Sequence, residues 1–192
     1  MKTVKMLASM LALALIVVAP MQALAYQSVS RFNGTSGSGE WITVNGDIQN
    51  YIYIGATLSK DGVDVYVSDC DYNLVTEVSS CQFGSLFTTD KSVFTVNKLN
   101  SATLAPVSVE LFDDSWNPVG PVVVEANLTG VGPTQKGNNK VQETYDGLKI
   151  SYKGQYTYRN ALVNSVLDGN DLGETSYGGL VQFKSMYSQK SK

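Results

Sequence analysis

Residues 148–159, LKISYKGQYTYR, alternate without a break between apolar or aromatic side chains and polar or cationic ones. The apolar or aromatic set, with one glycine, occupies the even positions: Leu148, Ile150, Tyr152, Gly154, Tyr156 and Tyr158. Alternation with a period of two is typical of a β-strand that buries one face and exposes the other to water. We therefore expect a strand here, with its even face buried.

Shorter runs of the same kind recur along the chain, separated by turn residues such as Asn45-Gly46, a pair that favours a hairpin. The other expected strands are residues 41–44, 48–58, 63–68, 92–96, 103–112, 119–128, 141–145 and 180–187. Residues 160–167 are ambiguous by period alone, and we favour continued strand over a short helix. About ten strands spaced about ten residues apart predict an all-β fold, an antiparallel β-sandwich; a closed β-barrel of about eight strands is the alternative.

Three segments are too polar or too rich in glycine to fit this pattern. Residues 27–40 are predicted to be a flexible Ser/Gly-rich start, and a strand whose alternate residues are small is the other interpretation. Residues 130–140, GVGPTQKGNNK, are predicted to be a loop within the domain. Residues 188–192 are predicted to be a frayed C-terminal tail.

The first 25 residues have the features of a secretory signal peptide. Lys2 and Lys5 precede an apolar run, and Ala23 and Ala25 supply the small residues that a signal peptidase reads. The run is shorter than the roughly 20 apolar residues that a membrane-spanning helix needs. We expect cleavage near Ala25, which leaves residues 26–192 as one all-β domain that is secreted to the extracellular space or held at the cell surface.

The chain has two cysteines, Cys70 and Cys81. In an exported protein a lone pair is most simply one disulfide bond, which stabilises a fold by roughly 3 kcal/mol. Two free thiols are the alternative. A tight turn at Tyr72-Asn73 would place Cys81 too far along the partner strand for a disulfide. We therefore expect residues 71–80 to form a disulfide-closed loop or an irregular hairpin.

Residues 26–192 carry 12 basic and 17 acidic side chains, a net charge of −5. A modestly acidic chain lacks the basic character of proteins that bind DNA or RNA, so we expect no nucleic-acid partner. Anionic membrane surfaces are unexpected partners for the same reason, and association with a membrane is expected only if the barrel alternative holds.

The chain has no histidine, which excludes Ser-His-Asp and Cys-His nucleophile systems and histidine-liganded metals. The glycine patterns of nucleotide-binding sites are also missing, so we expect no cofactor and no enzyme activity. Paired carboxylates for catalysis or calcium binding are the remaining option, although turn and solubility roles explain them more simply. These acids are Asp69, Asp71, Glu110, Asp113, Asp114, Asp168 and Asp171.

Tyr51 and Tyr53 lie on the face of residues 48–58 opposite the isoleucines, and they form the candidate aromatic contact surface for sugar rings or a partner protein. The alternative is that these tyrosines cover a sandwich core. Tyr152, Tyr156 and Tyr158 also share one face. Asn33 and Asn127 each begin an N-glycosylation sequon, which matters only in a host with that machinery.

Together these features predict an exported, non-catalytic surface, binding or structural module whose partner is a cell-envelope polymer, a glycan or a protein. Two alternatives remain open. One is a small outer-membrane β-barrel, because residues 148–159 also fit a strand with a lipid face and a lumen face. The other is a carboxylate-dependent glycan hydrolase.

Overall fold

The computed structural model describes residues 27–145 and 148–191, which form nine β-strands and one short 3₁₀ helix, Lys91–Val93. The strands are β1 (Gln27–Asn45), β2 (Ile48–Ser59), β3 (Val63–Asn73), β4 (Ser79–Thr88), β5 (Phe94–Asn97), β6 (Ser101–Asp113), β7 (Pro118–Tyr145), β8 (Leu148–Leu167) and β9 (Asn170–Ser191). The predicted signal peptide lies outside the described residues, as does a turn that the sequence predicts at Asp146-Gly147. None of the described residues belongs to a helix with the length and apolar character that a membrane span requires.

All nine strands belong to one antiparallel sheet with the order β4-β3-β2-β1-β9-β8-β7-β6-β5. β4 also pairs with β6, at Gln82↔Asp113 and at the adjacent residue pair, so the sheet bends back on itself. Gly84 permits this approach, because a Cβ at this position would overlap the carbonyl oxygen of Glu110. The prediction of an antiparallel all-β fold is confirmed.

The core lies between opposed parts of this one sheet. A narrow gap in it is lined by residues of β1 and β2 on one side and of β5 to β8 on the other, which shows that these strands pack face to face. The predicted strand at 160–167 is confirmed, and it supplies Ala161, Val163 and Leu167 to the core. The largest fully buried side chains are Phe94, Leu104, Leu180, Val63, Val65, Val67, Val109, Val124 and Val163.

The Ser/Gly-rich start of the chain is strand, and the expectation of a flexible arm is not met. Residues 27–39 pair with β9 along their whole length, and the second half of β1 also pairs with β2. Gly37 and Gly39 face the core, where an added Cβ would lie 2.9 Å from Leu128 and from Val163, respectively. The core-facing positions of β1 are small because side chains of the opposite layer occupy the space next to them.

Cys70 and Cys81 form the predicted disulfide bond. They are direct cross-strand partners in the β3–β4 hairpin, with their Cα atoms 4.1 Å apart. Residues 74–78 connect the two strands, and the Asn73 side chain accepts hydrogen bonds from the backbone amides of Val75 and Thr76. This longer connection lets Cys81 lie opposite Cys70, which a tight turn would prevent, so the predicted irregular hairpin is confirmed.

Residues 130–140 are strand, and the prediction of a loop there is wrong. They lie within β7, whose register with β8 shifts between Val131 and Gln135. Gly132, with φ +68°, lies in this irregularity. Beyond it, β7 pairs with β8 alone among the residues that the structure describes, and the side chains of residues 138–144 are exposed. An edge strand in water needs few apolar side chains, so polar and glycine-rich composition does not exclude it.

The longest strands project beyond the core as a four-stranded extension. We define the extension as residues 27–35, 135–145, 148–158 and 182–191, in the strand order β1-β9-β8-β7, and the rest of the described chain as the body. Ser151 is the one buried residue among the extension residues whose burial is described. The predicted frayed tail pairs with β8 as far as Ser191, and Lys192 lies outside the described residues.

Candidate functional site

The strand at residues 148–159 is confirmed, but its even face is not buried as expected. Tyr152 and Tyr156 are 40% and 44% exposed. The reason is that this part of β8 lies in the extension, where no layer of the described chain covers either side of the sheet. Alternation therefore divides the extension into two exposed faces of different chemistry.

One face of the extension is basic, and we call it the cationic face. It carries seven exposed basic side chains: Arg31, Lys136, Lys140, Lys149, Lys153, Lys184 and Lys190. Strand register brings them together, since Lys140 pairs with Lys153, Lys153 with Met186, and Met186 with Arg31. The remaining described side chains of this face are uncharged.

Two pairs of lysines on the cationic face are direct cross-strand partners, Lys140↔Lys153 and Lys149↔Lys190. Like charges directly opposite each other on a sheet destabilise the pairing by roughly 0.2–1 kcal/mol. Within the described chain the one salt bridge is Lys60–Asp61 in the body, so no carboxylate offsets this repulsion. The fold therefore carries concentrated positive charge at a cost in stability.

Amide side chains lie among these cations. Asn138, Gln155 and Lys184 form one cross-strand row, and Gln182 lies in the next. Together with Lys136 they line a hollow of about 410 Å³ on the cationic face. Amides both donate and accept hydrogen bonds, whereas lysine only donates. The face can thus contact hydroxyl groups as well as anionic groups.

The charge of the cationic face contrasts with that of the body. Described residues of the extension include seven basic side chains and one acid, Glu143, whereas the body has four basic side chains and 15 acids. About half of these acids lie near the hairpin turns at the end of the body away from the extension: Asp47, Asp69, Asp71, Glu77, Asp113, Asp114, Asp168 and Asp171. The net charge of the chain averages two opposite regions, so it does not by itself decide against polyanionic partners.

The other side of the extension is its aromatic face, which carries Phe32, Tyr152, Tyr156, Phe183 and Tyr187. The Tyr156 ring lies over Gly137, and the Phe183 ring lies 2.9 Å from where a Cβ of Gly34 would be. Phe32 stacks on Phe183 with ring centroids 5.3 Å apart. The glycines leave room for the rings to lie against the sheet, so this face presents aromatic rings among serine, asparagine and glutamine side chains.

The predicted aromatic contact residues, Tyr51 and Tyr53, lie on the outer face of β2 in the body, away from the extension. Tyr53 packs beside Tyr66, with ring centroids 5.9 Å apart. Partial burial, together with the nearby Glu40 carboxylate, raises the pKa of Tyr51 above its ordinary value. A contact role for Tyr51 and Tyr53 stays a prediction, and it concerns a surface separate from the extension.

The acids that sequence analysis considered for ion binding make local hydrogen bonds. Asn50 donates from Nδ2 to Asp69 Oδ1 at 2.6 Å and to Asp71 Oδ1 at 3.1 Å. Asp171 accepts a hydrogen bond of 2.8 Å from the backbone amide of Gly173, and Asp168 adopts a positive φ in the turn before it. Among the described residues, no group of three or more potential ligand side chains is placed to hold a metal ion.

Asp113 and Asp114 also hold local structure. The Asn117 side chain and backbone amide donate to the Asp113 carboxylate and hold its pKa below the ordinary value. Asp114 accepts a hydrogen bond of 2.9 Å from the backbone amide of Cys81. Glu110 is exposed on β6. The Asp113 contacts are those of a turn residue, whereas the Asp114 contact joins this turn to β4.

Both sequon asparagines are exposed within strands. Asn33 lies on the cationic face, beside Lys184, while Asn127 accepts a hydrogen bond of 3.2 Å from Thr103 Oγ1. Glycosylation of either residue stays a prediction. A glycan on Asn33 would cover part of the cationic face.

The cationic face is not evident from the sequence alone. The alternation of residues 148–159 places Lys149 and Lys153 on one side of β8, but their neighbours Arg31, Lys140 and Lys190 come from distant parts of the chain. A signal was present in the spacing of basic residues, since lysines an even number of residues apart in one strand share a face.

Comparison with protein-family models, with curated proteins and with solved structures found no match for this chain.

Proposed function

We propose that this protein is an exported, non-catalytic binding module that holds an acidic polysaccharide on the cationic face of its extension. The observation that carries the proposal is the set of seven exposed cations, including two directly opposed lysine pairs, with no salt-bridge partner among the described residues. A bound polyanion would offset the repulsion between these side chains. The signal-peptide pattern supports a location where envelope polymers are exposed.

The dimensions of the cationic face favour a polymer over a small ligand. Along the strands, the rows of Lys136 and Lys149 are eight residues apart, or about 27 Å. Across the strands, the row from Lys140 to Arg31 spans four strands, or about 14 Å. A surface of this size contacts several charged units of a chain at once, so weak individual contacts add up.

The side chains between the cations favour a glycan over a nucleic acid. Asn138, Gln155 and Gln182 offer donors and acceptors for sugar hydroxyl groups. Single-stranded nucleic acids are usually held by aromatic side chains that stack on bases within the basic groove. Here the rings, such as Tyr156, lie on the opposite side of the sheet from the lysines. One strand of nucleic acid would therefore not reach both.

The experiment measures binding of the purified protein to polygalacturonate, to heparin and to a neutral glucan at several salt concentrations. We expect binding to the two acidic polymers, with an affinity that falls steeply as salt rises. Lys153→Gln combined with Lys184→Gln removes two charges from the face and should weaken binding by about tenfold or more. Lys60→Gln combined with Lys98→Gln removes two charges from the body and should leave binding almost unchanged.

The two double variants have the same net charge, so a difference between them locates the site. Equal weakening by both would show a general charge effect and would remove the cationic face as the binding site. Equally tight binding to the neutral glucan would exclude an electrostatic site. Binding to DNA without binding to either acidic polysaccharide would assign the face to nucleic acid instead.

A further inference from the structure

The proposed function leaves the aromatic face of the extension unexplained. Phe32, Tyr152, Tyr156 and Tyr187 are each 37–44% exposed there. Antiparallel sheets commonly expose one polar face and pack the other against a core. The extension is a single layer whose apolar side lacks such a core in the described chain. A partner that covers the rings would supply the missing layer.

Charge limits how a second copy of the chain can supply that layer. Two cationic faces repel each other. A cationic face laid on an aromatic face gains cation–π contacts but desolvates its lysines, and it leaves one face of each copy free, so the contact does not close into a dimer. The aromatic face carries one charged side chain among its described residues, Glu143, near the end of the extension. Two aromatic faces can therefore approach each other while both cationic faces point outward into solvent.

The area of the aromatic face is sufficient for a stable dimer. Four strands at a spacing of about 4.8 Å, each about ten residues long at 3.3 Å per residue, present about 600 Å² per copy. The pair would bury about 1,200 Å², which is at the lower limit of specific protein interfaces. Tyrosine and phenylalanine are enriched in such interfaces. Area and composition both fit an association between copies.

We propose that two copies of this chain associate through the aromatic faces of their extensions, forming two sheet layers about 10 Å apart. Gly154 and Ser185 are direct partners in the central row of the face, between the Tyr152–Tyr187 row and the Tyr156–Phe183 row. A twofold axis that lies between the two sheets and runs along this central row places the Tyr152–Tyr187 row of one copy against the Tyr156–Phe183 row of its partner. The interface is then self-complementary, as a twofold axis requires.

The first test compares the self-association of three proteins by sedimentation equilibrium. We expect the unchanged protein to dimerise and Tyr156→Ser combined with Tyr187→Ser to weaken the dimer by about a hundredfold or more, since each substitution acts in both copies. Tyr66→Ser is the matched control, because Tyr66 has the same 44% exposure as Tyr156 but lies in the body. The control should dimerise like the unchanged protein.

The second test leaves every ring in place and remains informative if the tyrosine variants misfold. Both native cysteines are in the disulfide, so one added cysteine is the one reactive thiol among the described residues. Ser185→Cys places it on the aromatic face, and Ser188→Cys places it on the cationic face of the same strand. A thiol crosslinker with a reach of about 10 Å, the spacing of packed sheets, should join copies through residue 185 and not through residue 188.

A monomeric unchanged protein at high concentration would overturn the proposal, and so would equal crosslinking of the two cysteine variants. Binding of a neutral glycan that requires Tyr156, by a protein that stays monomeric, would assign the aromatic face to sugar stacking instead. Polyanion binding is measured separately through the lysine variants. A protein that stays monomeric could therefore still bind polyanions through its cationic face, and a protein that binds no polyanion could still dimerise through its aromatic face.

Discussion

Replacing Lys153 with glutamate should stabilise the extension and at the same time weaken its binding of polyanions. Lys153 lies directly opposite Lys140, and both side chains are exposed on the cationic face. The substitution turns a repulsive pair into an attractive one, and it also removes a cation from the proposed site. Simple loss of structure cannot produce these two opposite effects together.

The magnitudes follow from the geometry of a cross-strand pair. Two unit charges about 5.5 Å apart in water repel by about 0.8 kcal/mol, and salt reduces this value. Because Lys153→Glu also adds attraction, we expect the extension to gain about 0.5–1 kcal/mol at moderate salt. Polyanion affinity at low salt should fall about tenfold or more, and its salt dependence should decrease by about one to two ionic contacts.

The two effects need two measurements. Hydrogen exchange of backbone amides in the extension reports its local opening, and a gain of this size slows exchange about twofold to fivefold. Titration with heparin at several salt concentrations reports the affinity. Lys98→Glu changes the net charge by the same amount at an exposed site in the body, and it should produce neither effect.

Faster exchange in the Lys153→Glu extension would refute the claim that the opposed lysines repel each other at a cost in stability. Unchanged heparin affinity, with unchanged salt dependence, would refute the placement of the polyanion on this face. Lys153→Gln, which removes the charge without reversing it, should lie between the two proteins in both measurements.

Two further predictions concern the body. Gly84→Ala should lower the free energy of unfolding by about 2 kcal/mol or more, because its Cβ would overlap the Glu110 carbonyl oxygen on the neighbouring strand. Thermal unfolding should show a melting temperature lowered by about 4–8 °C. Gly179→Ala, whose Cβ would lie 3.6 Å from its nearest neighbour, should change the melting temperature little, and equal melting temperatures of the two variants would contradict the close approach of β4 to β6. In the folded protein, hydrogen bonds from the Asn117 side chain and backbone amide lower the pKa of Asp113. The ionised Asp113 carboxylate therefore stabilises the fold at pH values above its pKa in the unfolded chain, about 3.9, and this stabilisation is lost as the pH falls through its lower pKa in the folded protein. Asn117→Ala should raise the Asp113 pKa in a carboxyl NMR titration and make unfolding less sensitive to acid, and an unchanged titration would contradict this role.

The sequence predicted those strands that one buried face makes periodic. Alternation identified β8, and the cysteine spacing correctly favoured an irregular hairpin over a tight turn. The alternation pattern did not predict strands that lack regularly spaced apolar residues. Residues 135–140 form an exposed strand that pairs with β8 alone within the described chain. In β1, glycine occupies positions where side chains of the opposite layer fill the space that a Cβ would need. Amino-acid composition indicates which segments are buried in a core. It therefore does not identify strands that are held only by hydrogen bonds to a neighbouring strand.

The cationic face was hidden for a different reason. β1 contributes one of its basic residues and β9, β8 and β7 contribute two each, and only the register between these strands assembles them. A single sequence does not specify which strands pair, particularly when the pairing joins the two ends of the chain. Net charge then averages this face with the acidic turns of the body, and the average led to the expectation of no nucleic-acid partner and no anionic membrane surface.

In β1, β8 and β9 the pleat continues without a register shift from the body into the extension, and this explains how an exposed sheet can keep two chemically different faces. In β8 the odd positions are cationic at Lys149 and Lys153 and become core positions at Ala161 and Val163. A shift of one residue in register would move every side chain to the other face. In the extension alone such a shift would be cheap, since neither face is buried, but in the body it would expose the core. The packing of the body thus fixes which side of the extension is basic and which is aromatic, and it holds the proposed binding face in a defined geometry without a core of its own.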